Sequence, residues 1–357
     1  MSDSRLTTAL DGGDALPPEG TILVLGATAA SDLSALPQAR THLVQGMFPD
    51  HKALTARGWT VTPEPAGEDH AAALVLIPRA RAAAERMLAE AMARCRPGAP
   101  IWVDGQKTDG IEALQRALAG RLPVGAVTSK AHGRSLQIAA DPAACADWMH
   151  GPAEAAPGFV TRPGVFSADG IDPGSALLAG VLPALSGKVG DLGAGWGWLA
   201  AQVLARSPKV KRIDLVEADH AALACAQANV TDPRARFHWA DATDWRADGA
   251  LDAVVMNPPF HAGGRSAEPE LGLAFIRAAA RVLLTSGELW IVANRQLPYE
   301  PALAAAFAEV QVVGGDGRFK LIRAARPLKG KAAVAAPDRG KPATGTGPRA
   351  RGGRGPR

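Results

Sequence analysis

The run Val189-Gly-Asp-Leu-Gly-Ala-Gly-Trp-Gly197 constrains the fold more than any other stretch of this chain. A short apolar segment ends at Asp191-Leu192, and glycine then recurs at 193, 195 and 197 ahead of a helix-forming stretch. Glycines at that spacing allow a tight turn from strand into helix and leave bare backbone for a ligand to approach. The helix N-terminus then turns positive potential towards the ligand's carboxylate. A nicotinamide fingerprint would need a glycine at 198, where this chain has Trp198. Asp191 is placed to accept, directly or through water, from the amino end of a methionine-like ligand.

The same rhythm runs through the second half of the chain. Strands are predicted at Val189 to Leu192, Arg212 to Val216, Ala235 to Trp239, Leu251 to Met256 and Glu288 to Ala293. Helices are predicted after Gly197, from Asp219 to Asn229 and from Glu270 to Leu284. Such alternation implies an α/β fold with a parallel, doubly wound sheet. Two late strands, around Val310 to Val313 and Phe319 to Ala324, are placed to pair antiparallel at its end.

The first half carries a weaker version. Thr21 to Gly26, Leu74 to Ile77 and Ile101 to Val103 read as strands, Ala80 to Arg94 and Ile111 to Ala119 as helices. Leu25-Gly26-Ala27 matches Leu192-Gly193-Ala194, and Ile77-Pro78 falls where Asn257-Pro258 falls. His132-Gly133-Arg134 echoes Asp316-Gly317-Arg318. The halves therefore read as a diverged duplication. The first copy has lost the chemistry: Val24 stands for Asp191, Thr28 and Ala30 for the later glycines, and Ile77-Pro78-Arg79 for Asn-Pro-Pro. Gly151 to Gly164, with three prolines and three glycines, reads as the connector.

Asn257-Pro258-Pro259-Phe260 closes the apolar run Leu251 to Met256. An aromatic amine is a poor nucleophile because its lone pair is delocalised into the ring. If the Asn257 side-chain oxygen and the Pro258 carbonyl each accept one N–H, the nitrogen is held closer to tetrahedral and its developing charge is stabilised. The prolines stiffen the loop beforehand, and Phe260 offers a face on which a base can stack. With the glycine turn, this points to methyl transfer onto an exocyclic nitrogen. Glu217, ending Ile-Asp-Leu-Val-Glu, suits both hydroxyls of a ribose. Asp219 reads as the N-cap of the next helix. Asp241 has two readings, an acceptor for an adenine amine or a cap on Asp244-Trp245. His261 is either a solvated loop residue or a positioning group, and Trp196 and Trp198 are either cofactor wall or core.

Composition narrows the setting. The segment Met1 to Ala15 is polar and acidic and unlike a signal peptide, and no apolar run approaches the roughly 20 residues that cross a bilayer. Cys95, Cys145 and Cys225 are scattered, which fits a reducing cytoplasm better than a disulfide framework or a structural zinc site. The net charge of +4 is unevenly spread. From Arg326 to the end, nine Lys or Arg face the single acid Asp338, so the remainder carries −4. From Ala325 onward no apolar periodicity survives, and disorder is expected. The tail's arginine-glycine ending suits either RNA binding or solubilisation.

From about Pro163 to Ala325 the chain resembles the bacterial ribosomal RNA guanine-N2 methyltransferases, above all the RsmC type that acts on small-subunit rRNA. The resemblance rests on Gly164-Val-Phe-Ser-Ala-Asp-Gly-Ile-Asp172-Pro-Gly-Ser175, the glycine turn, Asn257-Pro-Pro-Phe-His-Ala-Gly-Gly264, Gly287-Glu-Leu-Trp-Ile-Val-Ala-Asn294 and Gly317-Arg-Phe-Lys320. It implies two tandem class I (Rossmann-like) methyltransferase domains, the N-terminal copy degenerate; the disordered basic C-terminal tail expected from composition is a departure from the family's usual pattern. The expected boundaries are a flexible N-terminus (1–19), the degenerate domain (20–150), a linker (151–164), the catalytic domain (165–326) and the tail (327–357).

The resemblance further implies S-adenosylmethionine held by Asp191, Gly193, Gly195 and Glu217; Gly197 and Asp241 join them as cofactor candidates on the residues alone, since the Asp241 region varies in the family. Guanine would be held by Asn257, Pro258 and Phe260. Pro259, His261, Arg318 and Lys320 are the remaining candidates for substrate contact. The implied partner is ribosomal RNA or the small subunit; from the residues alone a cytoplasmic protein with no membrane association and no metal is expected, and a monomer. The Asn-Pro-Pro motif is shared with methyltransferases of large-subunit rRNA guanine, adenine N6 and protein glutamine, so those acceptors stay open. A non-enzymatic RNA-binding assembly factor is the rival from another class, and a nicotinamide-dependent oxidoreductase a third reading.

Overall fold

The computed structural model describes residues 5–11, 15–259 and 269–328. Its first sheet comprises β1 (Ile22–Leu25), β2 (Thr41–Val44), β3 (Thr60–Thr62), β4 (Ala72–Leu76), β5 (Pro100–Gln106), β6 (Val124–Lys130) and β7 (Gly133–Ala139), ordered β3-β2-β1-β4-β5-β7-β6. Strands β1 to β5 are parallel, and β7 runs antiparallel between β5 and β6. Around it lie α1 (Arg5–Leu10), α2 (Phe48–Ala56), α3 (Arg81–Arg94) and α4 (Ile111–Ala119).

After a hairpin of β8 (Ala153–Ala156) and β9 (Phe159–Thr161), the pattern repeats. The second sheet takes β10 (Ser186–Leu192), β11 (Lys209–Glu217), β12 (Ala235–Trp239), β13 (Leu251–Met256), β14 (Leu283–Asn294), β15 (Phe307–Gly315) and β16 (Phe319–Pro327). Their order, β12-β11-β10-β13-β14-β16-β15, matches the first sheet strand for strand, as do the strand directions. Its helices are α5 (Pro173–Val181), α6 (Trp198–Arg206), α7 (His220–Asn229), α8 (Pro269–Val282) and α9 (Glu300–Ala306).

Central strands are buried on both faces, which is why they read as unbroken apolar runs. Ile22 and Val24 join one core with Leu43, Leu74 and Trp102, whereas Leu23 and Leu25 face the other with Leu88 and Met92. In the second unit Val189, Leu215 and Val255 pack with Val203 of α6, and Leu192, Val216 and Met256 with Phe275 and Ile276.

The two units meet through equivalent turns. Leu25 pairs with Val44 and Leu192 with Val216, so Gln45 occupies in the first unit the place of Glu217 in the second. Phe48 N donates to Ala218 O at 2.8 Å and His220 N to Gly46 O at 2.9 Å. Trp239 Nε1 adds bonds to Gly46 O (3.0 Å) and Ala218 O (2.9 Å).

Three segments differ from expectation. The N-terminus, expected to be flexible, holds α1, docked by a buried pair in which Arg5 Nη2 lies 2.7 Å from Asp104 Oδ1. The connector contains the β8–β9 hairpin, tied to α7 by Asn229, which accepts from Val160 N and donates to Val160 O. Strand β16 runs on to Pro327, with Ala325 and Pro327 buried, because pairing with β14 and β15 supplies order that no apolar period announced. The rest of the expected disordered tail, 329–357, lies outside the described residues.

Candidate active site

All the candidate donor residues sit at the C-terminal edge of the second sheet, where α/β folds bind their ligands. Asp191, near the end of β10, is 1% exposed, and its Oδ2 has no hydrogen-bond partner. Burial, and then the nearby Glu217 carboxylate, pushes its carboxyl up to about 7. A buried, unpartnered carboxyl of that kind suits a cationic group on a ligand.

The three glycines do different work. Gly193 and Gly195 have φ of +76° and +56°, a region that glycine enters without strain. A Cβ on Gly195 would meet nothing within 4 Å, so its bare face opens on the pocket. Gly197 caps α6, and a Cβ there would fall 2.8 Å from Val230 Cγ2 and 3.1 Å from Ala226 Cβ. Its missing side chain thus lets α6 pack on α7, a packing duty where the sequence suggested ligand contact.

Glu217 ends β11 with Oε2 accepting from Gly195 N at 2.7 Å and Oε1 from Asp219 N at 2.9 Å. Burial raises its carboxyl, and those two backbone N–H bonds work against the rise. Asp219 caps α7, accepting from Ala221 N. In the first unit Gln45 is buried, accepts from Met47 N through Oε1 and donates to Ala27 O through Nε2. The amide ties its own loop where the second unit keeps a carboxylate. Asp241 Oδ1 accepts from Thr243 N and Thr243 Oγ1, so this residue does brace the turn into Trp245.

Asn257 follows β13. Its Nδ2 donates to Asp172 Oδ2 at 2.7 Å and to Ser175 Oγ at 2.9 Å, leaving Oδ1 buried and unpartnered. The same Asp172 oxygen caps α5 by accepting from Ser175 N at 2.8 Å. Both amide protons are spent on one side, and the carbonyl end is held as a pure acceptor. Phe166, Asp172, Asp191, Gly195, Trp198 and Asn257 line one pocket. Trp196 lines it too, although it is mostly packed in a small cluster with Val165, Ala222 and Cys225.

Pro258 is buried and Pro259 exposed, whereas Phe260 and His261 lie outside the described residues. Arg318 is exposed, its guanidinium 4.9 Å from the Phe319 ring centre. Lys320 corrects the sequence reading. It is 5% exposed, with Nζ donating to Leu297 O at 2.6 Å and to Glu300 Oε1 at 2.5 Å, so it braces the fold beneath the surface instead of meeting substrate. Sequence reasoning also missed roles for Asp172, Ser175 and Phe166, although all three lie in the quoted Gly164 to Ser175 motif. Among the described residues no His, Cys, Asp or Glu cluster could hold a metal ion, and no helix is long and apolar enough to cross a membrane.

Residues 157–323 match the Methyltransferase small domain. A ribosomal RNA small subunit methyltransferase C of Klebsiella pneumoniae is 36% identical over 63% of this chain and 67% of its own length. One of the same name from Erwinia tasmaniensis is 33% identical over 71% and 75%. Among solved structures, a 16S rRNA N2 G1207 methyltransferase of T. thermophilus in complex with AdoMet and guanosine aligns with a TM-score of 0.74. That alignment spans 91% of this chain and 92% of the other at 22% identity, a likeness of fold across both units.

Proposed function

The chain belongs to the ribosomal RNA small subunit methyltransferase C family, and from that premise we propose how its second unit moves a methyl group from S-adenosylmethionine to the N2 amine of a guanine in small-subunit ribosomal RNA. The observation that carries the acceptor chemistry is Asn257 Oδ1, a buried acceptor without a partner, on an amide whose other end is fixed. Such an oxygen selects a group with hydrogens to give.

The residues of the donor site fit that cofactor. The open face of Gly195 accommodates a ligand at the turn, and unpartnered Asp191 Oδ2 suits an ammonium group. We assign Asp191 to the amino end, Glu217 to the ribose and the free side of Asp241 to the adenine amine. When bound, S-adenosylmethionine supplies an electrophilic methyl group. Asn257 Oδ1 and the Pro258 carbonyl then hold the two N–H bonds of the guanine amine, and both stabilise the charge that grows on nitrogen as it attacks. The nitrogen would bond to the methyl carbon as the donor's carbon–sulfur bond breaks, its electron pair staying on sulfur, and would then lose a proton to solvent, because the alkylated amine is acidic. The base has to leave its stack to reach this loop. Arg318 is read as a phosphate contact. The working unit is read as a monomer, since the turn edges of the two units already satisfy each other, and a cytoplasmic setting is read from the ribosomal RNA substrate.

The test is methylation of rRNA from a strain lacking the gene with labelled donor, followed by mapping of the modified base. Label on guanine N2 of small-subunit rRNA is expected. Label on adenine N6, on large-subunit rRNA or on a protein glutamine would overturn the assignment. Calorimetry addresses the assembly-factor rival, which requires that S-adenosylmethionine release no binding heat.

A further inference from the structure

Phe166 is a large apolar residue that the fold holds out of its core beside the acceptor site. It is 56% exposed and lines the same pocket as Asn257 and Asp172. Its neighbour Val165 is 5% exposed and anchored against Trp196, Ala222 and Cys225, so the chain reaches the core one residue earlier and then turns the phenyl ring outward.

The surrounding loop is tied firmly enough to keep it there. Gly164 has φ +94°, and a Cβ on it would fall 2.9 Å from Ala83 Cβ in α3 of the first unit. Ser167 adopts φ +54°, uncommon for a residue with a side chain, while its Oγ donates to Gly170 O at 2.8 Å. Thr161 Oγ1 donates to Ala168 O at 2.6 Å. A phenyl ring left largely in water forgoes the stabilisation of burial, so a loop fixed in this form is one that presents the ring to a ligand. Ile171, 39% exposed and next to the Asp172 cap, lies in the same loop.

From this placement we infer that Phe166 is a stacking face for the target base, a second platform beside the one that the sequence assigns to Phe260. The inference rests on the guanine reading above. A flat heteroaromatic ring with an exocyclic amine satisfies both features of the pocket at once: its amine meets the unpartnered Asn257 oxygen, and its π face lies on Phe166. Stacking is indifferent to which base is present, so Phe166 contributes affinity and orientation, whereas Asn257 selects the amine.

The experiment compares wild type with Phe166→Ala, Phe166→Leu and Phe166→Tyr. It uses rRNA as methyl acceptor, guanosine as a free ligand in the presence of S-adenosylhomocysteine, and calorimetry for S-adenosylmethionine. Phe166→Ala is expected to lower kcat/KM by roughly 5- to 100-fold and to weaken guanosine binding to a similar extent, the range found when a base-stacking aromatic is truncated. Donor affinity should stay within about twofold of wild type, and melting temperature should hardly move because the ring is exposed. Phe166→Tyr should restore activity and Phe166→Leu should not, which separates an aromatic face from mere apolar bulk. Unchanged kcat/KM and guanosine affinity in Phe166→Ala would overturn the inference. So would weakened donor binding with acceptor binding intact, which would make the ring part of the donor wall. Wild type failing to methylate guanine would overturn the functional reading itself, independently of Phe166.

Discussion

Asp172 Oδ2 sits 2.7 Å from Asn257 Nδ2 across 85 residues of sequence, and the same oxygen caps α5. One carboxylate therefore anchors a helix and orients the residue assigned to the acceptor amine. Asp172→Ser keeps a good capping group but is too short to reach Asn257. It is expected to lower kcat roughly 10- to 100-fold by leaving the Asn257 amide tied only to Ser175 Oγ, with donor affinity unchanged and little loss of melting temperature. Rapid-quench turnover and calorimetry on the same preparation check this, and a fall in donor affinity equal to the fall in turnover would refute the division of labour.

Asn257→Ala removes the acceptor itself. Turnover is expected to drop about 100-fold or more while S-adenosylmethionine binding persists. Loss of donor binding in a folded variant would show that Asn257 had been assigned to the wrong ligand.

Asp191 gives a pH dependence with a definite sign. Its folded carboxyl is raised to about 7 from an ordinary 3.8, so the unliganded fold holds a proton that the unfolded chain releases. This group therefore makes folding less favourable as pH rises through the window from about 4 to about 7, and its cost is complete above that. An ammonium group from the donor reverses the shift by favouring the carboxylate. Donor binding should consequently release about one proton near pH 6, and that release should fade as pH rises past about 7, where the carboxyl is already ionised, measured by calorimetry in buffers of different ionisation enthalpy. Asp191→Asn should abolish that release, weaken the donor and raise the stability of the unliganded protein at alkaline pH.

Lys320 and Arg318 should part company when substituted. Lys320→Met leaves Glu300 and the Leu297 carbonyl without their buried partner and should cost about 1–3 kcal/mol of stability without altering the salt dependence of RNA binding. Arg318→Ala should leave stability alone and make the salt slope shallower by about one unit. Thermal melts and filter binding across a salt series distinguish the two.

The basic tail should be cut after Leu328, because Pro327 is buried in β16 and Arg326 is ion-paired with Glu309. Removing 329–357 deletes eight Lys or Arg and one Asp. RNA affinity and its salt dependence should fall, while fold, donor affinity and the methylated position survive. An identical salt slope in both forms would assign the tail to solubility alone.

The sequence made legible what repeats locally. Doubly buried strands such as Leu251–Met256 appear as apolar runs, and the Asp191 and Asn257 motifs carry their turns within a few residues. The edge strand Thr60–Thr62 is short and half exposed, and Val124–Lys130 is largely exposed, so neither leaves an apolar trace; both exist because a neighbour offers hydrogen bonds. Asp172 was visible as a motif letter, but its hold on Asn257 is a contact between distant segments that spacing cannot reveal. Lys320 looked like a free cation for the same reason, since the Glu300 carboxylate that holds it comes from another element.

The seam between the units contains the same bond twice. Phe48 to Ala218 and His220 to Gly46 join equivalent positions in opposite directions, the self-complementary pattern of a two-fold homodimer written within one polypeptide. Two free subunits would dissociate on dilution, but here the connector holds the halves at a fixed local concentration whatever the amount of protein present. A first half without catalytic residues thus keeps a structural duty, because it supplies the twin of the turn that carries Glu217.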